Sequence, residues 1–176
     1  MPWIEDFDGL VLLGYHAMAG TPKAVLEHTM SSASWQNCWL NGEKCGETAI
    51  DAGVAGDHNV PLIMVSGDDK LCAEAKALVP GVHAAQVKVG LACYGARLLP
   101  MKKAHKLIED TAASAVKDCK KIKPYRPKRP VTMRLERVSR GKLPVEGSRP
   151  WLKIIDGRTY EVTGDGVEEA LWRLSR

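Results

Sequence analysis

Two apolar runs, Leu10–Leu13 and Leu62–Val65, stand out from a chain that otherwise mixes apolar and polar positions. Neither run alternates, so each predicts a strand buried on both faces, as in a parallel sheet. The first continues through Gly14 to Tyr15 and stops at His16; a third strand-like run covers His83 to Val89. Helical patterns lie between and after these runs. Gly46 to Asp57 carries Ile50 and Val54 four apart on one face, and Lys70 to Val79 follows Asp68-Asp69, acids that suit a helix amino terminus, before Pro80-Gly81 stops it. Leu98-Leu99-Pro100 opens a long helix from Met101 to about Lys121, with Leu107, Ile108, Ala112, Ala115 and Val116 as its apolar stripe.

Period-two patterns predict antiparallel strands elsewhere. Trp35 to Cys45 reads as a hairpin about Asn41-Gly42, in which Leu40 faces Glu43, Trp39 faces Lys44 and Cys38 faces Cys45. Val131 to Val138 alternates like a half-exposed strand, and Trp151–Ile155 with Thr159–Val162 flank a second turn at Asp156-Gly157. Residues 165–174 read as a closing helix, and residues 16–34 form a long connection of the kind that is often functional. The pattern implies an α/β fold. A mostly parallel sheet with flanking helices, incomplete at the N-terminus, occupies residues 1–122; a proline-rich connector then leads into a small α+β appendage at 123–176.

Composition narrows the class. Among the 176 residues, 45% are hydrophobic and 26% charged, as in ordinary globular domains. No window is apolar enough for a membrane-spanning helix, and the acidic start Met1-Pro2-Trp3-Ile4-Glu5-Asp6 lacks the basic region of a signal peptide. Five cysteines without a CxxC pair point to reduced thiols and a cytoplasmic protein, with Cys38 and Cys45 as two thiols on one face. The net charge of +4 gathers in Lys117–Arg149, where the basic residues alternate along a strand and a connector with the single aromatic Tyr125. That spacing reads as a solvated face rather than a nucleic-acid site.

The residues that could carry chemistry lie early. His16 follows a strand at the end where open α/β sheets bind ligands, His28 sits in the long connection, and Glu47 falls in the first turn of a helix. Each has a plain structural role available: a strand cap, a solvated loop histidine, dipole compensation. Together they offer two imidazoles and a carboxylate, enough for a hydrolytic zinc with a position left for water. Asp68 and Asp69 end the second buried strand on the same edge; helix capping is their default, and support of a metal ligand is the alternative. His58, His83 and His105 are read as structural.

The motifs Gly14-Tyr15-His16-Ala17 with Thr21-Pro22, His28-Thr29-Met30, Asn41-Gly42 with Gly46-Glu47, and the block from Val54 to Asp69 resemble the DppA-type D-aminopeptidases, zinc peptidase family M55. The order and spacing agree from about Gly9 to Pro80 and more loosely to the C-terminus. The resemblance implies hydrolysis of short peptides with an N-terminal D-amino acid at a paired-zinc site, in a homo-oligomer of stacked rings. It makes His16 and Glu47 zinc ligands and His28 a catalytic residue beside the metal. The family's remaining ligands come from an earlier stretch, an Asp-x-Glu and a later histidine, which nothing before Gly9 supplies here. The expectation is therefore a truncated chain carrying the C-terminal part of the fold, inactive alone, whose activity needs the missing half either as a separate polypeptide or within a longer gene product. Two alternatives stand beside it: a non-catalytic remnant or assembly subunit, and a mononuclear zinc hydrolase using His16, His28 and Glu47.

Overall fold

The structure is a computed structural model and describes residues 3–176. Along the chain, β1 (Leu10–Leu12) leads through a long loop to the hairpin of β2 (Trp35–Leu40) and β3 (Glu43–Cys45), then to α1 (Glu47–Asp57), β4 (Leu62–Gly67) and α2 (Asp69–Leu78). There follow β5 (His83–Gln86), the hairpin of β6 (Lys88–Ala92) and β7 (Gly95–Leu98), and α3 (Met101–Asp118). After the connector come β8 (Val131–Arg137), β9 (Leu152–Ile154), β10 (Thr159–Gly164) and α4 (Val167–Leu174).

The two apolar runs pair in parallel within a sheet of order β1-β4-β5. Every residue of β4 is buried, as its unbroken apolar sequence requires of a central strand. β1 departs from the expectation of burial on both faces. It is an edge strand of three residues; Leu12 is buried, whereas Val11 and Leu13 are exposed at 43% and 63%. Its apolar run lacks a neighbour on one side among the described residues. Helices α2 and α3 cover the sheet, and Leu71, Ala75 and Ala115 pack with Leu12, Leu62, Met64 and Val65. On α3 the expected stripe is shallower than its period suggests: Ala115 is buried, Leu107, Ile108 and Ala112 are half-buried, and Val116 is exposed.

A second, antiparallel sheet has the order β3-β2-β8-β10-β9. The first hairpin adopts the register read from its Asn-Gly turn, with Cys38 opposite Cys45, both buried free thiols. β2 then pairs with β8, so this sheet draws strands from both sides of residue 122. The alternation of β8 is visible as Val131, Met133 and Leu135 turned inward. α4 lies on β8 and β10. α1 runs between the two cores: Ala49, Ile50 and Val54 join one and Ala52 the other, so the helix is apolar nearly all round. Tyr125 of the connector touches both cores.

One element differs outright from expectation. The run from His83 to Val89 is not one strand. It breaks at Val87, whose N–H donates to Gly67 O and whose carbonyl accepts from Leu99 N–H, and β6 folds back on β7 as a separate two-stranded ribbon. In the basic segment, Arg126 binds Gly56 O and Asn59, Arg129 bridges Asp57 and Asp165, and Arg134 pairs with Glu161. No helix among the described residues is long and apolar enough to cross a membrane.

Candidate metal centre

The pairing of β1 with β4 is extended past Leu12 by two hydrogen bonds, Gly14 N–H to Ser66 Oγ and Tyr15 N–H to Ser66 O, each 2.8 Å. His16 therefore leaves the sheet at the carboxyl end of β4, the end at which ligands of open α/β sheets are held. The chain then turns back across the start of α1. Met18 N–H donates to Glu74 Oε2 at 2.9 Å, and Met18 rests on Gly46, where a Cβ would stand 2.6 Å from Met18 Cβ. Glycine at that position lets the loop approach Glu47, the first residue of α1.

The structure brings His16, His28 and Glu47 together. One potential donor atom from each lies within 4.8 Å of the others. The two imidazoles stack at 3.9 Å between centroids and 17° between planes, with Tyr15 stacked on His16 at 5.0 Å. His16 Nε2 and His28 Nε2 each stand 3.6 Å from Glu47 Oε1. The remaining nitrogens face carbonyls: His16 Nδ1 is 3.2 Å from Ala17 O, and His28 Nδ1 is 2.7 Å from Leu26 O. A carbonyl only accepts, so a neutral ring that donates through Nδ1 to its carbonyl leaves its Nε2 lone pair on the side of the carboxylate. Lone pairs gathered on one anionic oxygen repel each other. A cation among them relieves that repulsion, and nitrogen and carboxylate donors suit a borderline divalent ion.

Glu47 is held by a backbone amide and lies beside a carboxylate–phenol pair. Its Oε1 accepts from Met30 N–H at 2.6 Å, and its Oε2 lies 3.5 Å from Tyr15 Oη, which donates to Asp51 Oδ2 at 2.5 Å. Burial, reinforced by Asp51, raises the Tyr15 phenol far above its ordinary range and keeps it a donor. Burial also raises Asp51, against the opposing hydrogen bond from Tyr15. Sequence reasoning missed both residues. The available signal was the four-residue step from Glu47 to Asp51, which places both carboxylates on one face of α1.

The loop carrying His28 is strained. Lys23, Leu26 and Met30 have φ of 59°, 51° and 57°, a left-handed conformation that costs non-glycine residues roughly 1–3 kcal/mol each unless surrounding contacts impose it. Asp68 is buried, caps α2 through Lys70 N–H and Leu71 N–H, and also binds Val25 N–H of this loop. Asp69 binds Gly90 N–H and Lys70. Neither aspartate is among the grouped donors. His58 pairs with Glu168 at 2.5 Å and His83 with Asp118 at 3.3 Å, while His105 is exposed on α3.

The profile of the D-aminopeptidase family, Peptidase M55, matches residues 2–175. The chain belongs to that family. It is 33% identical over 155 residues to a D-aminopeptidase of Bacillus subtilis (strain 168), a match covering 88% of this chain and 56% of that protein. Its fold is similar to the solved structure of the Zn-dependent D-aminopeptidase DppA from Bacillus subtilis, a self-compartmentalizing protease, with a TM-score of 0.88 and 30% identity, covering 97% of this chain and 62% of that one. The chain thus spans little more than half the length of the curated relative it matches.

Proposed function

We propose that this member of the D-aminopeptidase family contributes to a zinc-dependent centre that hydrolyses short peptides bearing an N-terminal D-amino acid. In this reading His16 and Glu47 hold zinc and His28 is the catalytic residue beside it. The observation that carries the reading is the convergence of two Nε2 atoms on Glu47 Oε1, each at 3.6 Å, with both Nδ1 atoms facing carbonyls.

Zinc, when bound, lowers the pKa of a water and polarises a peptide carbonyl. The chain's own residues supply the rest. His28 is more exposed than its neighbours, at 33% against 18% and 16% for His16 and Glu47, so it is the one open to substrate. With Nδ1–H committed to Leu26 O, its Nε2 can take a proton from the attacking water and return it to the leaving amine. Met30 N–H holds the Glu47 carboxylate through Oε1.

Two imidazoles and one carboxylate are few donors for a pair of ions. We infer that further ligands come from a segment outside these 176 residues, seated along the edge of β1 that has no strand neighbour among the described residues, where Val11 and Leu13 stand exposed. Copies of the chain assembling around an enclosed space would cover other exposed apolar side chains, among them Leu91, Tyr94 and Leu98.

The test is zinc stoichiometry together with D-Ala-D-Ala hydrolysis, on the chain alone and with the N-terminal portion of its Bacillus subtilis relative added. Support would be zinc binding that is lost in His16→Ala and survives in His28→Ala, with turnover that needs His28. Absence of zinc binding in both settings, or unchanged turnover in His28→Ala, would sink the reading.

A further inference from the structure

We propose that Asp68 and the β6–β7 hairpin form a clamp that positions His28. The proposal deepens the reading above and rests on His28 being its proton carrier. The path is short. Asp68 Oδ2 accepts from Val25 N–H at 2.8 Å, reaching a residue 43 positions earlier in the chain. Cys93 O, in the turn between β6 and β7, accepts from Leu26 N–H at 2.8 Å. The carbonyl of the same Leu26 accepts from His28 Nδ1 at 2.7 Å. Two consecutive amides are thus tied down immediately before the peptide group that sets the imidazole.

The hairpin is fastened to the same corner. Gly90 N–H donates to Asp69 Oδ1 at 2.9 Å, and Lys70 Nζ donates to Gly90 O and to Asp69 Oδ2, both at 2.8 Å. Gly90 has no room for a side chain: a Cβ would lie 2.2 Å from Lys23 O and 3.1 Å from Asp68 Oδ2. A two-stranded ribbon is marginal by itself in water, so these contacts are what give it a fixed place against residues 23–26.

Helix capping does not account for the arrangement. The cap uses Asp68 Oδ1, which accepts from Lys70 N–H at 3.1 Å and Leu71 N–H at 2.9 Å. The other oxygen is left for the loop. Leucine does not rest at a φ of 51° unless neighbours impose it, and at Leu26 the tied amides of residues 25 and 26 do so. The turned peptide is the one whose carbonyl meets His28. Asp68 is therefore a positioning residue, and the hairpin is part of the site although it contributes no side chain to it.

Asp68→Asn tests this cleanly. Asparagine caps a helix about as well as aspartate, but it presents an NH2 to Val25 N–H where Oδ2 had accepted. Gly90→Ala is the second variant, acting from the hairpin side. The readout is nitrogen-15 spectra of the imidazoles in metal-free protein at about pH 8.5, about two units above the titration of a model imidazole. Wild type should show His28 as one tautomer, protonated at Nδ1. Both variants should move the two His28 nitrogens toward each other as the tautomers mix. His16, held by Ala17 O, should not change. With the complete site assembled, kcat should fall about 10- to 100-fold with little change in KM, the range typical of lost supporting contacts.

A His28 tautomer that is unaltered in both variants would overturn the clamp. So would His16 and His28 changing together as both variants lose their folded spectra, because that marks a fold element and not a positioning device. A wild-type chain that binds no zinc would defeat the metal reading but leave the tautomer experiment decisive for the clamp.

Discussion

Gly46→Ala is the substitution that most directly tests how His16 and Glu47 are brought together. Gly46 precedes α1 in an extended conformation, with φ of −113° and ψ of −170°, so alanine meets no backbone strain there. The obstacle is packing: the new Cβ would stand 2.6 Å from Met18 Cβ, 2.8 Å from Met18 Cα and 3.0 Å from Glu74 Oε1. Two of these atoms belong to the backbone or the first side-chain carbon, so rotation of a side chain does not clear them. Overpacking of this kind costs about 1–3 kcal/mol, and alanine is a poorer N-cap than glycine by a few tenths to about 1 kcal/mol. The sum is about 1.3–4 kcal/mol, or a fall in Tm of roughly 3–15 °C for a chain of this size. The displaced segment carries Met18, two residues beyond His16, so zinc affinity should fall as well, by roughly tenfold or more. Differential scanning calorimetry and zinc competition titration measure the two effects. Gly157→Ala is the control: nothing lies within 4 Å of its would-be Cβ and its φ is not left-handed, so Tm should hold or rise slightly. A Gly46→Ala chain that melts and binds zinc like Gly157→Ala would refute the account of the loop.

Glu47→Gln keeps an acceptor for Met30 N–H and removes the charge, so Tm should change little. Zinc affinity should drop by more than the roughly 10- to 100-fold that supporting residues produce; an isothermal titration with unchanged affinity would argue against Glu47 as a ligand. Burial raises the Glu74 carboxyl, with the Met18 N–H bond opposing. Its stabilising contribution is therefore complete below the unfolded carboxyl pKa and lost as pH rises through the folded one. The stability of wild type relative to Glu74→Gln should decline as pH rises above the ordinary carboxyl range of about 4.3, and a flat or rising difference in urea melts would contradict this. Burial pushes the Cys72 thiol up to about 11, so at pH about 8 roughly one molecule in a thousand carries the thiolate. Alkylation should mark the half-buried Cys93 and Cys119 well before Cys72, Cys38 and Cys45, and rapid native labelling of Cys72 would count against its burial.

Local rules carried the sequence reading where local chemistry decides the outcome. Asn41-Gly42 sets a two-residue turn, and the register down to Cys38 opposite Cys45 follows from it. β4 is buried throughout because no polar residue interrupts Leu62 to Val65. The reading fell short where a segment's partner lies far along the chain. Leu10 to Leu13 is as apolar as β4, but apolarity does not distinguish a central strand from an edge strand; pairing does, and here β1 has one neighbour among the described residues. Likewise nothing in Val131 to Arg137 indicates that β8 will pair with Trp35–Leu40.

The candidate centre divides along the same line. His16 was legible because a buried strand ends at it, and Glu47 because a glycine and a helix start frame it. How His28 would be oriented was not legible, since its orientation comes from Leu26 and the conformation of Leu26 comes from Asp68 and Cys93, 43 and 67 positions away from Val25 and Leu26 respectively. The β6–β7 hairpin was missed for a related reason. Gly90, Gly95 and the small Ala92 and Ala96 give its pattern no apolar period, and its one buried residue, Gly90, meets the backbone of residues 23–24 and not a core. A ribbon that packs through glycine leaves no hydrophobic trace in the sequence. What it leaves instead is a glycine at position 90, where the ribbon meets the backbone of the left-handed Lys23.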